Sequence, residues 1–298
     1  MGTRRDADVE PPDGLLLVDK PAGMTSHDVV LRARRALGTA RVGHAGTLDP
    51  FATGLLVLLY GRATRLLPHL AGEPKVYDAT IRFGAETETE DLLGTVTREA
   101  PLPERAAVEA ALPALTGDLQ QVPPAYSAKR VDGERAYARA RAGESVTLAP
   151  VPVRVHGWTL LGWHGDTCDV RVTCGGGTYV RSLARDLGRA VGSAAHLVAL
   201  RRLASGPFSV EMAQPLEALT PATVRPLAAL EALAGLPREA LDPERVARVV
   251  RGIDVAAHVG GTEAALVDER TGVLVAYAVR RGDRWQPRVV MHRVPEPA

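Results

Sequence analysis

A single aspartate, Asp49, lies in the glycine-rich segment GHAGTLDPFATGLL and is the first candidate for a catalytic group. The glycines of this segment permit tight backbone paths and close approach of a ligand, and Pro50 fixes the chain directly after the aspartate. Asp49 is the only carboxylate within residues 29–72, a stretch with six arginines, and nearby positive charge favours an ionised carboxylate. Turn formation or helix capping is the ordinary alternative for a loop aspartate.

Two arginine-rich stretches are candidate surfaces for a polyanion, although the net charge of the whole chain is only +1. The first is residues 29–72. The second has Asp186 as its only acid and contains Arg181, Arg185, Arg189, Arg201 and Arg202. The alternative is that both stretches are merely solvated faces of the protein.

Lysine is rare in this chain, with three lysines among 36 basic residues. These are Lys20, Lys75 and Lys129, and a compact ammonium is not replaced by the planar guanidinium of arginine. The scarcity therefore suggests that these three positions need an ammonium.

The elements that must position these residues follow from hydrophobic periodicity and from turn signals. Strands are predicted at residues 14–20 and 75–84, and for residues 151–174 around a turn at Gly165 and Asp166. LLVLLYG is a buried strand or a helix start, ARVGHAGTLDPFATG an ordered loop, and ETETEDLLG an acidic, solvated turn. Helices are predicted after the capping-box pair Thr25 and Asp28, over residues 104–115, in ERAYARARAG, in GGGTYVRSLARDLGRAVG and, with scattered prolines, over residues 215–247.

The order of these elements predicts a mixed α/β (α+β) chain with a mostly antiparallel sheet and flanking helices. We expect a disordered lead-in over residues 1–13, a catalytic domain over residues 14–240 and a small β domain over residues 241–298. That last domain should end in a three-strand meander with turns near Thr271 and Asp283.

Several classes of protein are disfavoured by composition. Cys168 and Cys174 have no partnering histidine cluster, so we expect core-filling thiols and no metal site. The chain has no apolar run long enough for a membrane span and no signal-peptide h-region, which predicts a cytoplasmic protein. Since no long exposed apolar stripe is evident, we expect a monomer.

Six segments resemble motifs of the TruB-type tRNA pseudouridine-55 synthases, in the order of that family. They span residues 14 to about 208 and include GHAGTLDPFATGLL, in which the family's aspartate is the nucleophile. The others are DKPAGMTSHDVV, KVYDATIRFG, VPPAYSAKRVDG, GGGTYVRSLARDLG and AAHLVALRRLASGPF. The resemblance implies a pseudouridine synthase fold, and it suggests a PUA-like, RNA-binding character for the C-terminal β domain, which matches only loosely.

The resemblance also implies roles for particular residues. Asp49 would be the nucleophile or base, Tyr77 would help to remove the C5 proton, and Arg181 would pair with Asp49. His44 would stack on a flipped-out nucleotide, and Tyr179 and Leu200 would line the uracil pocket. Apart from the resemblance, we expect Lys20 to contribute to substrate binding. The ordinary alternatives are cross-strand packing for Tyr77, helix core for Leu200 and a surface cation for Arg181.

The implied reaction breaks the bond from N1 to C1′, turns the uracil and rejoins it through C5. No atoms are gained or lost, so we expect no cofactor, and the sequence contains neither a Walker A motif nor a dinucleotide fingerprint. A carboxylate can attack C1′ or C6, or remove a sugar proton to give a glycal, and the residues do not choose among these. The expected partner is the T stem-loop of tRNA, with the target base flipped out of its stack.

Three other functions compete with this one. A glycosidase would normally need a second carboxylate beside the scissile bond, and Asp49 has none nearby in sequence. The other two are a non-catalytic module that folds tRNA and a guide-RNA-dependent pseudouridine synthase, for which extra partner-binding extensions are expected.

Overall fold

A computed structural model describes residues 13–70, 72–127, 130–131, 134–135 and 148–291. The strands are β1 Gly14–Lys20, β2 Val42–His44, β3 Thr53–Tyr60, β4 Lys75–Phe83, β5 Ala85–Thr87, β6 Val96–Glu99, β7 Gly117–Gln121, β8 Arg130–Val131, β9 Glu134–Arg135, β10 Val151–His164, β11 Thr167–Cys174, β12 Ala195–Ser205, β13 Phe208–Ser209, β14 Gln214–Pro215, β15 Leu227–Ala228, β16 Arg238–Leu241, β17 Val255–Ala256, β18 Glu263–Asp268, β19 Leu274–Arg281 and β20 Arg284–Val290. The α-helices are α1 Ser26–Leu37, α2 Arg105–Ala111, α3 Val180–Ala190 and α4 Pro243–Val250. Short 3-10 segments are Gly61–His69, Leu112–Leu115, Val210–Met212, Leu216–Ala218 and Ala229–Leu233.

The chain divides into two compact units, of which one comprises residues 1–50, 55–71 and 207–298. In this first unit β1 lies beside β3, and it pairs with β14 in parallel and with β15 in antiparallel fashion. The apolar residues of β1 and β3 are almost completely buried, as expected for central strands. The segment LLVLLYG, which was ambiguous in sequence, is therefore a buried strand.

The second unit comprises residues 51–54 and 72–206 and is built on a sheet with the strand order β12-β4-β11-β10-β7. All neighbours in this order are antiparallel, while the first two residues of β3 run parallel to β12. The mixed α+β fold with a mostly antiparallel sheet is thereby confirmed.

The C-terminal part of the first unit forms its own five-stranded sheet with the order β16-β18-β19-β20-β17. The predicted meander is present as β18, β19 and β20, and its core contains Leu241, Val249 and Trp285. The small C-terminal β domain is thus confirmed, whereas its boundary near residue 240 and its binding of RNA stay predictions.

The prediction of helix over residues 215–247 is wrong for most of that range. Short strands and 3-10 turns fill it, and the only α-helix there is α4, which Asp242 caps at its N-terminus. Prolines interrupt the segment, and they remove the backbone donors that a continuous helix needs. Of the short helix predicted in ERAYARARAG, Glu134 and Arg135 form β9, and the remainder lies outside the described residues.

The predicted role of the cysteines as core-filling thiols is confirmed. Cys168 and Cys174 are both buried in β11, and burial raises the pKa of Cys168 to about 12 and that of Cys174 to about 11. No described helix is long and apolar enough to cross a membrane.

Candidate active site

Asp49 lies in the loop that joins β2 to β3, and the residues on either side of it are fixed by hydrogen bonds. The buried Ser26 of α1 binds both backbone groups of Leu48, through a Leu48 N to Oγ distance of 2.9 Å and an Oγ to Leu48 O distance of 3.1 Å. The carbonyl oxygen of Pro50 accepts a hydrogen bond of 2.9 Å from the backbone N–H of Gly23. The loop is therefore ordered, as predicted, and holds the half-buried Asp49 between two anchored neighbours.

The ammonium of Lys20 contributes a further anchor to this loop. Its Nζ donates to the carbonyl oxygens of Pro21 at 2.9 Å, Met24 at 2.8 Å and Pro50 at 3.3 Å. Three carbonyls match the three donors of an ammonium, and the side chain is fully buried. Contact of Lys20 with substrate stays a prediction, but this burial favours an action through the Asp49 loop.

His44 ends β2, where it stands opposite Leu58 of β3. The sequence placed this segment entirely in a loop, and the structure corrects that for Val42–His44, which pair in antiparallel fashion with the last residues of β3. His44 is half-buried, and its stacking on a nucleotide stays a prediction.

Two of the predicted pocket residues lie on one face of the second unit's sheet. Tyr77 of β4 stands opposite Arg202 of β12, and Leu200 stands opposite Ala79, two residues further along β4. Cross-strand partners and residues two apart share a face, so the side chains of Tyr77 and Leu200 lie on the same side. Each is about 7% exposed, and Leu200 belongs to a strand, so the alternative that it is helix core is wrong.

Tyr179 and Arg181 lie at the start of α3, after the turn of three glycines. Gln121 fixes this helix start, because its Oε1 accepts from the Tyr179 N–H at 2.9 Å and its Nε2 donates to the Tyr179 carbonyl at 3.0 Å. Gln121 is 1% exposed, and sequence reasoning missed it because a glutamine in a predicted loop carries no pattern.

Arg181 is held by two backbone carbonyls from distant parts of the chain. Its Nη1 donates to the carbonyl oxygen of Thr89 at 2.7 Å and its Nη2 to that of Tyr126 at 2.9 Å. The carboxylate of Asp91 lies 3.9 Å from Nη1, and the arginine side chain is only 4% exposed. The alternative that Arg181 is a surface cation is therefore wrong, and Asp91 is a neighbour that the sequence did not reveal.

Most of the acidic turn ETETEDLLG is not solvated as predicted, because three of its four carboxylates face the arginines of α3, while that of Glu88 is exposed. Arg181, Arg185 and Arg189 follow one another at helical spacing along one face of that helix. They are matched by Asp91 at 3.9 Å, by Glu90 in a short contact and by Glu86 at 2.6 Å, respectively.

The energetics of these pairs follow from their burial. Burial opposes ionisation of Glu86, but hydrogen bonds from Arg189 and Arg98 outweigh it and lower the pKa of this carboxyl. For Glu90, burial dominates and raises the pKa in spite of Arg185. Pairing with buried carboxylates thus largely neutralises the positive charge on this face of α3.

The second arginine stretch is consequently not the open basic surface that the sequence indicated. Arg181, Arg185 and Arg202 are 4%, 7% and 1% exposed, so reversing their charge would test folding and not RNA contact. In the first stretch, Arg32, Arg35 and Arg41 are exposed. Arg62 and Arg65 instead donate to the carbonyls of Met291 and Val290, each at 3.0 Å.

The sequence-predicted residues thus fall into two groups. Asp49, His44 and Lys20 belong to the first unit, and the second contains Tyr77, Tyr179, Arg181 and Leu200. The ion pair between Asp49 and Arg181 stays a prediction. Among the described residues, no group of three or more His, Cys, Asp or Glu side chains is arranged to hold a metal ion.

Two family models match adjoining parts of the chain. Residues 34–180 match the N-terminal domain of the TruB family of pseudouridylate synthases, and residues 181–256 match the C-terminal domain of tRNA pseudouridylate synthase B. The tRNA pseudouridine synthase B of Thermobifida fusca is 50% identical over 93% of this chain and 98% of its own length. That of Arthrobacter sp. is 45% identical over 93% of this chain and 96% of its own.

Solved structures show the same fold at lower identity. The archaeal box H/ACA sRNP Nop10-Cbf5 complex contains a chain with a TM-score of 0.71 and 23% identity. The comparison covers 97% of this chain and 89% of that one. A chain of an H/ACA RNP bound to a substrate RNA containing 2′-deoxyuridine has a TM-score of 0.69 at 24% identity, covering 94% and 86%.

Proposed function

The chain belongs to the TruB family of pseudouridylate synthases, and we propose that it converts the T-loop uridine of tRNA into pseudouridine with Asp49 as nucleophile. The observation that carries this proposal is the loop of Asp49. A carboxylate whose two neighbours are anchored by Ser26, Lys20 and Gly23 is held in one position by the backbone on either side of it. Such preorganisation is what a nucleophile or base requires.

Each step of the proposed reaction is assigned to particular residues. Asp49 attacks C1′ or C6, or removes a sugar proton, and the bond from N1 to C1′ breaks. The uracil turns within a pocket lined by Tyr179 and Leu200, and C5 bonds to C1′. Asp49 leaves C1′ or C6 in the course of these steps, or returns the sugar proton that it removed. The C5 proton then leaves to solvent with the help of Tyr77, and N1 takes up a proton from solvent. The atoms balance, and no oxidant or energy source is consumed.

Arg181 serves as the cation that pairs with Asp49 in this proposal. Its two carbonyl contacts, with Thr89 and Tyr126, fix the guanidinium without neutralising it. The carboxylate of Asp91 lies 3.9 Å from Nη1 and shares the charge of this guanidinium. A buried guanidinium held in this way favours the ionised form of a carboxylate placed against it.

Recognition of the RNA requires a flipped base and a positive surface. Flipping exposes the C1′ and C5 atoms, and His44 would stack on the extruded nucleotide. The exposed Arg32, Arg35 and Arg41 supply positive charge for phosphates. The β domain over residues 241–298 would add further contacts to the tRNA.

We further propose that the protein works as a monomer in the cytoplasm, on the T stem-loop of tRNA. Light scattering coupled to gel filtration gives the mass directly, and a mass near 31.6 kDa is expected. A mass of twice that value would contradict the proposal.

Release of tritium from a T stem-loop transcript labelled at C5 of uridine tests the proposed activity. Release without guide RNA or cofactor is expected, and a matched transcript with cytidine at the target position should release none. A glycosidase would liberate uracil and retain the tritium, a tRNA-folding module would bind without release, and a guide-dependent enzyme would need a second RNA. Any of these three results would overturn the proposal.

A further inference from the structure

We propose that Glu90 is a positioning residue for Arg181, an inference that rests on the proposed function of Arg181. Among the residues that the structure describes, Glu90 is the only non-glycine residue with a left-handed backbone, at φ 61°. A residue with a side chain rarely adopts this conformation and keeps it only when its surroundings hold it there. The contacts that hold Glu90 therefore indicate the function of its strained conformation.

Both the backbone and the side chain of Glu90 are held. Its N–H donates to the Thr87 carbonyl at 3.0 Å, and its own carbonyl accepts from the Leu197 N–H at 3.1 Å. The carboxylate accepts a hydrogen bond of 2.7 Å from Ser182 Oγ and pairs closely with Arg185 Nη1. The side-chain contacts thus tie this turn to α3.

The two neighbours of Glu90 both reach Arg181. The carbonyl of Thr89, one residue before, lies 2.7 Å from Nη1, and the carboxylate of Asp91, one residue after, lies 3.9 Å from the same atom. A left-handed residue between them reverses the chain, so that one guanidinium meets groups from both sides of the turn. The Glu90 carboxylate also attracts the Arg181 guanidinium electrostatically, while its hydrogen bonds go to Ser182 and Arg185.

The anchors of Glu90 belong to the same helix as Arg181. Ser182 is the next residue and Arg185 lies one turn further along α3. Arg185 is itself fixed by Asp186 at 2.8 Å and by the Val122 carbonyl at 2.9 Å. The contacts of Glu90 therefore clamp its turn to α3. This clamp sets the orientation of the Arg181 guanidinium relative to Thr89 and Asp91.

The chain offers a matched control for this clamp in Glu86. It is a buried carboxylate of the same segment and pairs with another arginine of α3, Arg189, at 2.6 Å. Glu86 also binds Arg98, but neither contact reaches Arg181. Loss of a buried ion pair is thus common to both positions, whereas loss of positioning is expected at Glu90 alone.

The test compares Glu90→Gly, Glu90→Gln and Glu86→Gln in single-turnover tritium release at saturating enzyme, together with tRNA affinity and urea unfolding. Glycine accepts the left-handed backbone, so Glu90→Gly removes the clamp without adding strain. Its rate constant should fall about 10- to 100-fold with little change in affinity, because small misplacements near the reacting atoms are costly. Glu90→Gln keeps an acceptor for Ser182 and should retain more of the rate, while Glu86→Gln should react like wild type.

Crystal structures of the same variants separate this inference from the proposed function. The Arg181 guanidinium should leave the Thr89 carbonyl in Glu90→Gly and stay on it in Glu86→Gln. An unmoved Arg181 in Glu90→Gly, or equal rates of tritium release for Glu90→Gly and Glu86→Gln, would overturn the positioning role. If wild type releases no tritium, the proposed function fails, and the position of Arg181 still decides whether Glu90 acts as a clamp.

Discussion

The ammonium of Lys20 donates a hydrogen bond of 3.3 Å to the carbonyl oxygen of Pro50, the residue that directly follows Asp49. Because the site is fully buried and surrounded by carbonyls, the wider guanidinium of arginine should not fit it. We predict that Lys20→Arg lowers the single-turnover rate at least about tenfold by shifting the Asp49 loop. Arg105→Lys, at an exposed arginine of α2, is the control and should leave the rate unchanged. A wild-type rate for Lys20→Arg would mean that the rarity of lysine here is coincidental.

Removal of the Tyr77 hydroxyl tests its role in proton transfer. Tyr77→Phe keeps the ring, which lies on the same sheet face as Arg202 and Leu200, so the free energy of unfolding should change little. The rate of tritium release should fall about 100-fold, which is typical for loss of a general acid or base. Tyr60→Phe removes a hydroxyl from another buried tyrosine and should not affect the rate. Equal rates for the two variants would leave Tyr77 with a packing role only.

Binding of tRNA should depend on the exposed arginines of the first basic stretch. We predict that Arg35→Glu weakens binding and reduces the slope of log affinity against log salt by about one. Arg202→Glu should instead destabilise the fold by about 3 kcal/mol or more, since it reverses a buried charge. Filter binding at several salt concentrations and urea unfolding measure the two effects. An unchanged slope for Arg35→Glu would remove this face from the RNA surface.

The C-terminal β domain should lose stability in acid through Glu239. Burial opposes its ionisation, but hydrogen bonds from Arg245, the His258 N–H and Trp285 outweigh it and lower its pKa to about 2, against an ordinary value of 4.5. The folded state therefore holds the ionised form more strongly. This stabilisation is fully present above pH 4.5 and disappears as the pH falls towards 2.

The difference of about 2.5 pH units corresponds to about 3 kcal/mol at neutral pH. Urea unfolding between about pH 6 and about pH 3 measures this effect. The difference in the free energy of unfolding between wild type and Glu239→Gln should narrow as the pH falls. A gap that is independent of pH would show that Glu239 titrates alike in both states.

Sequence patterns predicted those elements whose residues determine their structure locally. The capping box of Thr25 and Asp28 is present at the start of α1. The pairing of β10 with β11 around Gly165 follows from alternation and a turn signal, and so does the meander near residues 271 and 283. At the candidate site, the family resemblance supplied the residues, because no periodicity distinguishes Asp49 from other loop aspartates.

The predictions that failed concern segments whose structure depends on residues far away in the sequence. Glu86 and Asp91 looked solvated because the arginines of α3 that pair with them lie about ninety or more residues away, as in the Arg189 to Glu86 pair. The mistaken helix over residues 215–247 has a similar cause. Leu216 and Leu233 belong to the apolar residues of this range, but each is buried from a short 3-10 turn and not from a continuous helix. Tertiary contacts, and not local propensity, fix these segments.

The most direct test of the whole account is the paired measurement of tritium release and tRNA affinity for Asp49→Asn. Asparagine keeps the size of aspartate but lacks the negative charge that each of the possible mechanisms needs. Asp118→Asn, at a side chain that is 79% exposed, is the control and should behave as wild type. We predict that Asp49→Asn abolishes release over long incubation while its affinity for unmodified tRNA stays close to that of wild type. Activity within about tenfold of wild type, a barrier change of about 1.4 kcal/mol, would contradict the assignment of Asp49 as nucleophile.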